Sequence, residues 1–311
     1  MTLDLPTPAA VFRIGTRGSP LALAQAHETR ARLAEAFALP HEAFDIVVIK
    51  VKGDQILDKA LREIDGKGLF TREIEEALLA GQIDIAVHST KDMPVAQPAG
   101  LVMETYLPRE DVRDAFVSLK YQGLSEMPEG SVVGTSSTRR RAQLAAKFPY
   151  LKVVEFRGNV QTRLGKLENG VADATFLATA GLKRLGMDDV PYHPIEVTDM
   201  LPAIAQGAIG IERRGDDMRA AEMLEAIHDT PTGLRLRAER TLLAGLDGSC
   251  ETPIGGLAEL GADGLRLRGE ILRHDGSEVL TGDLRGAVED GAEMGRAMAA
   301  DLLGRAGPGF F

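Results

Sequence analysis

Short apolar runs alternate with amphipathic stretches along the first two thirds of the chain. The runs 44–51 and 83–87 are rich in Val and Ile, whereas 19–39 and 70–79 repeat apolar residues at helical spacing. Strands that alternate with helices form parallel sheets covered by those helices. The pattern therefore predicts an α/β fold. Further strands are expected at 11–14, 153–156 and 174–178, and further helices at 137–147 and 160–167.

One strand-to-helix passage occurs twice with similar residues. Ile14-Gly15-Thr16 precedes the first long helix, and Val133-Gly134-Thr135 precedes a later one. Ser and Arg follow at both helix openings. The similarity hints at two related α/β lobes.

The last third of the chain has a different period. Apolar and polar residues alternate over 265–271, as in a half-buried strand, and a further strand is expected at 279–284. Asp263-Gly264 and Asp275-Gly276 suit hairpin turns, and 294–302 carries apolar residues at i,i+4 spacing. We expect a small α+β C-terminal domain with an antiparallel sheet and a helix.

Charge and cysteine content restrict the partners and the compartment. The formal net charge of −10 argues against a nucleic-acid partner, because such binding depends on phosphate neutralisation. No apolar run reaches the roughly 18 residues that a membrane span needs, so no membrane partner is expected. Cys250 is the only cysteine, which is typical of a reducing compartment, and the first residues lack a signal-peptide pattern. We expect a cytoplasmic protein.

Arginines recur where predicted strands pass into helices. They are Arg17, the run Arg139-Arg140-Arg141, the pair Arg157 and Arg163, and Arg184. Ligands of α/β sheets bind beyond the carboxyl ends of strands, and helix N-termini favour anions. Guanidinium groups pair with carboxylates in a bidentate fork, so a ligand with several carboxylates is one interpretation. The alternatives are a solvated surface cluster for the arginine run and surface salt bridges for the single arginines. Because consecutive helix residues diverge by about 100°, we expect Arg139 and Arg140 rather than Arg141 to face such a ligand.

A carboxylate follows one predicted strand. Asp92 lies in the run from His88 to Pro94, and Pro94 prevents a helix from continuing. Asp92 is a candidate general acid or base, or a counter-charge to a cation, with an ion-paired loop residue as the alternative. His88 is expected to be structural. Cys250 lies in a Gly-rich loop without metal-ligand spacing around it, so no metal is expected.

A series of sequence motifs resembles those of the porphobilinogen deaminase family, both in their residues and in their order along the chain. The resemblance covers nearly the whole chain. The motifs are 16–22, 66–70, 88–94, 134–140, 157–164, 180–186, 206–212 and the Cys250 loop.

The resemblance implies three domains. Two lobes similar to type II periplasmic binding proteins would be formed by 1–107 with 205–226 and by 108–204, with a catalytic cleft between them. The third domain, 227–311, would carry the cysteine loop. The segment 50–67 matches a loop over the cleft.

The resemblance also implies a reaction and a cofactor. Four porphobilinogen molecules would be joined head to tail, with loss of ammonia, on a dipyrromethane primer attached to Cys250 by a thioether. The product would be hydroxymethylbilane, a precursor of haem and chlorophyll, and the enzyme would be a monomeric transferase.

Individual residues take their expected roles from the same resemblance. Asp92 matches the catalytic aspartate. The residues matched to the cofactor are Cys250, Lys91, Ser89, Ser137, Arg139, Arg140 and Arg163. The residues matched to the substrate are Arg17, Ser19, Arg157, Arg163, Arg184 and Gln206. Three positions depart from the family pattern, because Lys52, Thr138 and Ala205 stand where arginine, leucine and glycine are common.

Three other classes of protein compete with this interpretation. A solute-binding protein would share the lobes but normally carries an export signal and needs no Cys250. A ligand-sensing regulator would usually have a DNA-binding helix-turn-helix, and a phosphate-ester enzyme would show a Walker motif or a metal-carboxylate cluster. Release of ammonia from porphobilinogen would distinguish the deaminase from all three.

Overall fold

The computed structural model describes residues 3–52, 71–248 and 252–311. The described chain forms two compact units. Unit 1 contains the N-terminal residues up to 52 together with 71–110 and 208–233. Unit 2 contains 111–207 and the described residues from 234 onward.

The regular elements follow in chain order. The strands are β1 Phe12–Arg17, β2 Phe44–Ile49, β3 Ile85–Ser89, β4 Leu101–Tyr106, β5 Asp114–Ser118, β6 Val132–Gly134, β7 Lys152–Val154, β8 Ala174–Ala178, β9 Tyr192–Pro194, β10 Ile209–Arg214, β11 Ile254–Gly261, β12 Gly264–Leu272 and β13 Val279–Gly286. The helices are α1 Pro20–Phe37, α2 Arg72–Leu79, α3 Thr138–Lys147, α4 Val160–Glu168, α5 Thr179–Arg184, α6 Met218–Glu225, α7 Thr230–Gly245 and α8 Gly291–Ala306.

Unit 1 is built on a mixed five-stranded sheet in the order β2-β1-β3-β10-β4. Strands β1, β2 and β3 are parallel, and β10 runs antiparallel between β3 and β4. Phe12, Ile14 and Leu33 pack in its core with Ile209 and Ile211 of β10. A late segment of the chain therefore completes the sheet of the first unit.

Unit 2 contains a second five-stranded sheet in the order β7-β6-β8-β5-β9. Here β6, β7 and β8 are parallel, and β5 runs antiparallel between β8 and β9. The core contains Phe116, Val133, Leu144 and Phe176. Both sheets thus place three parallel strands in the same order beside an antiparallel strand and an edge strand, which confirms the two similar α/β lobes.

The remaining sheet of unit 2 is antiparallel, in the order β11-β12-β13. Helix α8 follows it, with Met294, Met298 and Leu302 buried. Gly264 (φ 111°) is the first residue of β12 and Gly276 (φ 73°) lies between β12 and β13, and both have a positive φ, where glycine is favoured. The predicted antiparallel α+β part is confirmed.

Several predicted boundaries shift for local reasons. The strand expected at 153–156 is Lys152–Val154, because the N–H of Phe156 leaves the ladder and donates to Ser136 Oγ at 3.2 Å. The helix expected from residue 70 begins at Arg72, and Phe70 lies outside the described residues. The loop expected at 50–67 lies outside them from residue 53 onward. Ala205 has φ 60°, in the left-handed region that glycine adopts without steric cost. This conformation explains why glycine is common at this position in the family.

Candidate active site

In unit 1, two of the predicted ligand-binding segments end at the same edge of the sheet. Strands β1 and β3 pair in parallel, with Ile14 opposite Ile85, so their carboxyl ends are neighbours. Arg17 ends β1 and Ser89 ends β3. This edge corresponds to the place where α/β sheets bind ligands.

Helix α1 begins at this edge because its first turn is well capped. Ser19 is the N-cap residue, and its Oγ accepts the N–H of Ala22 at 3.2 Å. Pro20 occupies the first helical turn, where its missing N–H has no consequence. Arg17 and Ser19 are both half-buried, so the structure places the first arginine segment at a helix opening as predicted.

Ser89 is held by Gln25, a residue that was not predicted from the sequence. Gln25 of α1 is buried, and its Nε2 donates to Ser89 Oγ at 2.9 Å. The Ser89 hydroxyl donates in return to Gln25 Oε1 at 3.1 Å. The signal in the sequence was weak, since one glutamine on a helix face rich in alanine does not identify its partner.

The segment after β3 is a short 3₁₀ turn, Thr90–Asp92. The N–H of Thr90 donates to the carbonyl of Ala208 at 3.0 Å, and the N–H of Met93 closes the turn on the Thr90 carbonyl at 3.1 Å. Lys91 is half-buried and Asp92 is exposed. The turn is therefore anchored through its buried backbone, while the Asp92 carboxylate faces solvent and can reach a ligand.

A buried group of titratable side chains lies behind this turn. His88 Nε2 is 3.3 Å from Glu212 Oε2, and both side chains are buried. Burial raises the pKa of Glu75 on α2, and the negative charge of Glu212 adds to the increase. Asp84, at the opposite end of β3, pairs with Arg13 at 2.9 Å. Glu75, His88 and Glu212 belong to the interior of unit 1.

In unit 2, three predicted ligand-binding residues meet at one buried carboxylate, Asp114 at the start of β5. Arg139 Nη2 donates to Asp114 Oδ2 at 2.7 Å, and Arg140 donates to Oδ1 from Nη2 at 2.6 Å and from Nε at 3.1 Å. The Nε2 of Gln206 donates to Oδ1 at 2.9 Å. Asp114 was not among the predicted residues, although a lone carboxylate that opens an apolar strand was a usable signal in the sequence.

The charges of this group determine how Asp114 titrates. Burial alone raises the pKa of Asp114, but the guanidinium groups of Arg139 and Arg140 outweigh burial and hold the pKa well below its usual range. The carboxylate is therefore ionised at neutral pH. Two guanidinium cations share this carboxylate, so the three side chains together carry one net positive charge.

A backbone carbonyl brings in a further arginine. The carbonyl of Phe176 accepts from Arg140 Nη1 at 3.0 Å and from Arg163 Nη1 at 3.3 Å. Arg163 also donates from Nε to the carbonyl of Gly158 at 3.0 Å. Arg139, Arg140, Arg163 and Gln206 are thus brought together from three separate segments of the chain.

The other predicted residues of unit 2 lie at helix ends. Ser137 is the N-cap of α3 and accepts the N–H of Arg140 at 3.4 Å. Arg157 is half-buried in the turn before α4, and Arg184 is half-buried at the end of α5. Arg141 points elsewhere and pairs with Glu155 at 3.3 Å, so the expected separation of Arg141 from Arg139 and Arg140 is observed.

Cys250 lies outside the described residues, in the interval between α7 and β11. Within residues 3–52, 71–248 and 252–311, no group of His, Cys, Asp and Glu side chains could hold a metal ion. No helix in the described part of the chain is long and apolar enough to cross a membrane.

Two family models match this chain. Residues 12–222 match the porphobilinogen deaminase dipyromethane cofactor binding domain, and residues 234–304 match the porphobilinogen deaminase C-terminal domain. Among curated proteins, porphobilinogen deaminase of Paracoccus denitrificans is 65% identical over 99% of this chain and 98% of the relative. The chloroplastic porphobilinogen deaminase of Pisum sativum is 52% identical over 97% of this chain and 84% of the relative.

Solved structures with low sequence identity also resemble this chain. The methionine binding protein MetQ is 15% identical, with a TM-score of 0.42 over 71% of this chain and 91% of that one. The periplasmic aliphatic sulphonate binding protein SsuA from Escherichia coli is 15% identical, with a TM-score of 0.41 over 76% of this chain and 70% of that one.

Proposed function

The chain belongs to the porphobilinogen deaminase family, and on that premise we propose that it joins four porphobilinogen molecules head to tail, with loss of ammonia at each step. Water then cleaves the bond between the tetrapyrrole and the primer, which releases hydroxymethylbilane and leaves the primer on the protein. This activity is that of a transferase in tetrapyrrole biosynthesis. The observation that carries the proposal is the convergence of Arg139, Arg140, Arg163 and Gln206 around Asp114 and the Phe176 carbonyl. Such a cluster suits substrates that each bring two carboxylates.

The donor set fits a dipyrromethane cofactor. The buried trio of Asp114, Arg139 and Arg140 has a net positive charge, which a carboxylate of the cofactor would balance. In addition, Arg139 Nε is buried without a hydrogen-bond partner in the described part of the chain. When bound, the dipyrromethane supplies the terminal pyrrole carbon to which the first substrate is joined.

The residues proposed to hold the cofactor are those that the family resemblance assigns to it. Cys250 would form the thioether; Ser89, Lys91, Ser137, Arg139, Arg140 and Arg163 would bind the pyrrole carboxylates and nitrogens. Ser89 is suited to this role because Gln25 fixes its hydroxyl. Arg17, Ser19, Arg157, Arg163, Arg184 and Gln206 would bind the acetate and propionate groups of the substrate.

Asp92 is proposed as the catalytic residue. Protonated, it would give its proton to the amino group of porphobilinogen, so that the C–N bond breaks and ammonia leaves with that proton. Ionised, it would then stabilise positive charge on a pyrrole nitrogen. Its exposed position on an anchored turn supports both tasks, since the carboxylate is accessible while its backbone is fixed.

The proposal includes the three-domain division into 1–107 with 205–226, 108–204 and 227–311. It also includes a monomeric enzyme in the cytoplasm, with porphobilinogen as its small-molecule partner. A single cysteine supports a reducing compartment.

The first test is the intact mass of the purified protein, with the modified residue located by peptide digestion. We expect the added mass of two linked pyrrole units on Cys250. A preparation with the bare mass is incubated with porphobilinogen, while the released ammonia is measured. Absence of both an adduct and ammonia release would remove the proposal and leave the solute-binding protein as the better interpretation.

Replacing Gln25 with leucine tests whether Ser89 needs its partner. The substitution keeps the volume of the side chain but removes both hydrogen bonds to Ser89 Oγ. We expect the free energy of unfolding to fall by about 1–3 kcal/mol, together with a higher KM for porphobilinogen. The measurements are urea unfolding and initial rates. Gln82→Leu is the control, because Gln82 is exposed in the same unit. Equal effects of the two substitutions would contradict the role of Gln25.

A further inference from the structure

Arg139 contacts a second buried side chain besides Asp114. Its Nη1 donates to Gln143 Oε1 at 2.9 Å and to the Leu201 carbonyl at 2.8 Å. Gln143 lies one helical turn further along α3 and is buried. Its Nε2 donates to the Leu201 carbonyl at 2.9 Å and to Glu270 Oε1. The amide orientation is therefore fixed, with its oxygen toward Arg139 and its nitrogen toward Glu270.

Glu270 connects this helix to the antiparallel sheet. It lies on β12 opposite Gly255 of β11. A Cβ at position 255 would come within 2.9 Å of Glu270 Oε1 and 3.0 Å of its Cγ, so the side chain rests against the backbone of β11. Strand β11 begins at Ile254, four residues after Cys250 in the sequence.

Burying the carboxyl group of Glu270 lowers the stability of the fold. Burial raises the pKa of Glu270, although the hydrogen bond from Gln143 and the charges of Arg139 and Lys147 on α3 act in the opposite direction. An apolar side chain would fill this place between a sheet and a helix without that desolvation cost. The presence of a carboxyl group at this place therefore indicates a role other than stabilising the fold.

We infer that Glu270 is a positioning residue for cofactor attachment. Through Gln143 it orients the guanidinium group of Arg139, and through its contact with Gly255 it fixes the start of the strand that follows Cys250. Contacts thus run from Gly255 through Glu270 and Gln143 to Arg139. They hold the start of β11, which follows Cys250 in the sequence, in a fixed arrangement with the arginine proposed to bind a carboxylate of the cofactor. This inference rests on the proposed function and adds a residue to it.

Three variants test the inference in the full-length protein prepared without its cofactor. Glu270→Leu removes the acceptor, Glu270→Gln retains an oxygen for the Gln143 N–H, and Gln143→Met breaks the connection from the helix side. Glu259→Gln is the matched control, because Glu259 is a glutamate of the same sheet that pairs with Arg268 and is partly exposed. The measured quantity is the rate at which porphobilinogen adds mass to Cys250.

We expect Glu270→Leu and Gln143→Met to slow this rate by about 5- to 150-fold, and the Glu270→Gln and Glu259→Gln variants to stay near the wild-type rate. Combining Glu270→Leu with Gln143→Met should add little to either single effect, because both break one contact chain. Circular dichroism and thermal unfolding verify that each variant is folded. If Glu270→Leu does not fold, Gly255→Ala displaces the same carboxylate from the strand side and should also slow loading.

Two results would overturn the inference. One is a Glu270→Leu or Gly255→Ala protein that loads at the wild-type rate, and the other is full additivity in the double variant. A wild-type protein that gains no adduct would instead refute the proposed function. A wild-type loading rate in the Glu270→Gln variant would show that position 270 acts by positioning and not by its negative charge, because glutamine can accept the hydrogen bond from Gln143 but carries no charge.

Discussion

Replacing Asp92 with asparagine is expected to reduce turnover by about 10²- to 10⁴-fold, the usual contribution of a positioned general acid or base. Asparagine has nearly the same shape, but it cannot donate a proton to a leaving amine or balance a developing positive charge. The turn should remain intact, because its anchoring bonds come from the backbone of Thr90 and Met93. The pyrrole adduct on Cys250 should persist, since it is held by a different part of the chain.

Two measurements check this prediction. Ammonia release at saturating porphobilinogen gives the turnover, and intact mass gives the state of Cys250. Asp216→Asn is the control, because Asp216 is exposed in a turn of the same unit, and it should retain wild-type turnover. Normal turnover by the Asp92→Asn protein would exclude Asp92 from the proton-transfer role.

Replacing Asp114 with asparagine is expected to lower the free energy of unfolding by about 3–5 kcal/mol. Removing one partner of a buried ion pair leaves the other charge uncompensated, and Asp114 is the partner of both Arg139 and Arg140. Asparagine keeps one acceptor oxygen but replaces the other with an NH2 donor, and it cannot neutralise either cation. Cofactor loading should fall as well, because the two guanidinium groups lose the group that orients them.

The pH dependence of this effect has a definite sign. The folded-state pKa of Asp114 is lowered, so the carboxylate contributes its full stability above the unfolded pKa, about 3.9, and the contribution declines as the pH falls below that value. The difference between the wild-type and Asp114→Asn proteins should therefore be constant near neutrality and narrow under acid conditions. Urea unfolding at pH values on both sides of the unfolded pKa measures it.

A surface pair gives the matched control for Asp114. Arg266 donates to Asp283 from Nε and Nη2, the same two atoms with which Arg140 donates to Asp114. Arg266 contacts both carboxylate oxygens of Asp283, whereas Arg140 contacts only Oδ1 of Asp114. The pair is at the surface and partly exposed, so Asp283→Asn should lower the free energy of unfolding far less than Asp114→Asn. If both substitutions lowered the free energy of unfolding equally, burial would not be the reason why Asp114 contributes strongly to stability.

The sequence predicted the fold class because the period of its apolar residues changes at the right places. Strand–helix alternation indicated the parallel strands of both lobes, and the period-2 pattern after residue 264 indicated the antiparallel sheet. The antiparallel strands β5 and β10 gave no such local signal. Each belongs to its sheet through pairing with distant residues, for example Gly210 with His88, and no periodicity reports the partner of a strand.

The candidate site could be predicted only in part for a similar reason. Arginines at helix openings are visible as motifs, but their protein partners are not. Asp114 lies 25 residues from Arg139 and 92 from Gln206, and only the folded sheet brings the three together. The same holds for Glu270, which is 127 residues from Gln143. The assigned roles of the site residues stay predictions that the variants above can test.

The position of β10 also has a consequence for the chain as it leaves the ribosome. Strands β5 to β9 of the second sheet lie between residues 114 and 194, so this sheet can close once that stretch is synthesised. The first sheet must wait for Ile209–Arg214, because β10 separates β3 from β4. Until then, β3 and β4 present unpaired edges, which are sites of aggregation. Synthesis order and folding order therefore differ, and a nascent chain halted before residue 209 would contain a complete second sheet and an incomplete first one.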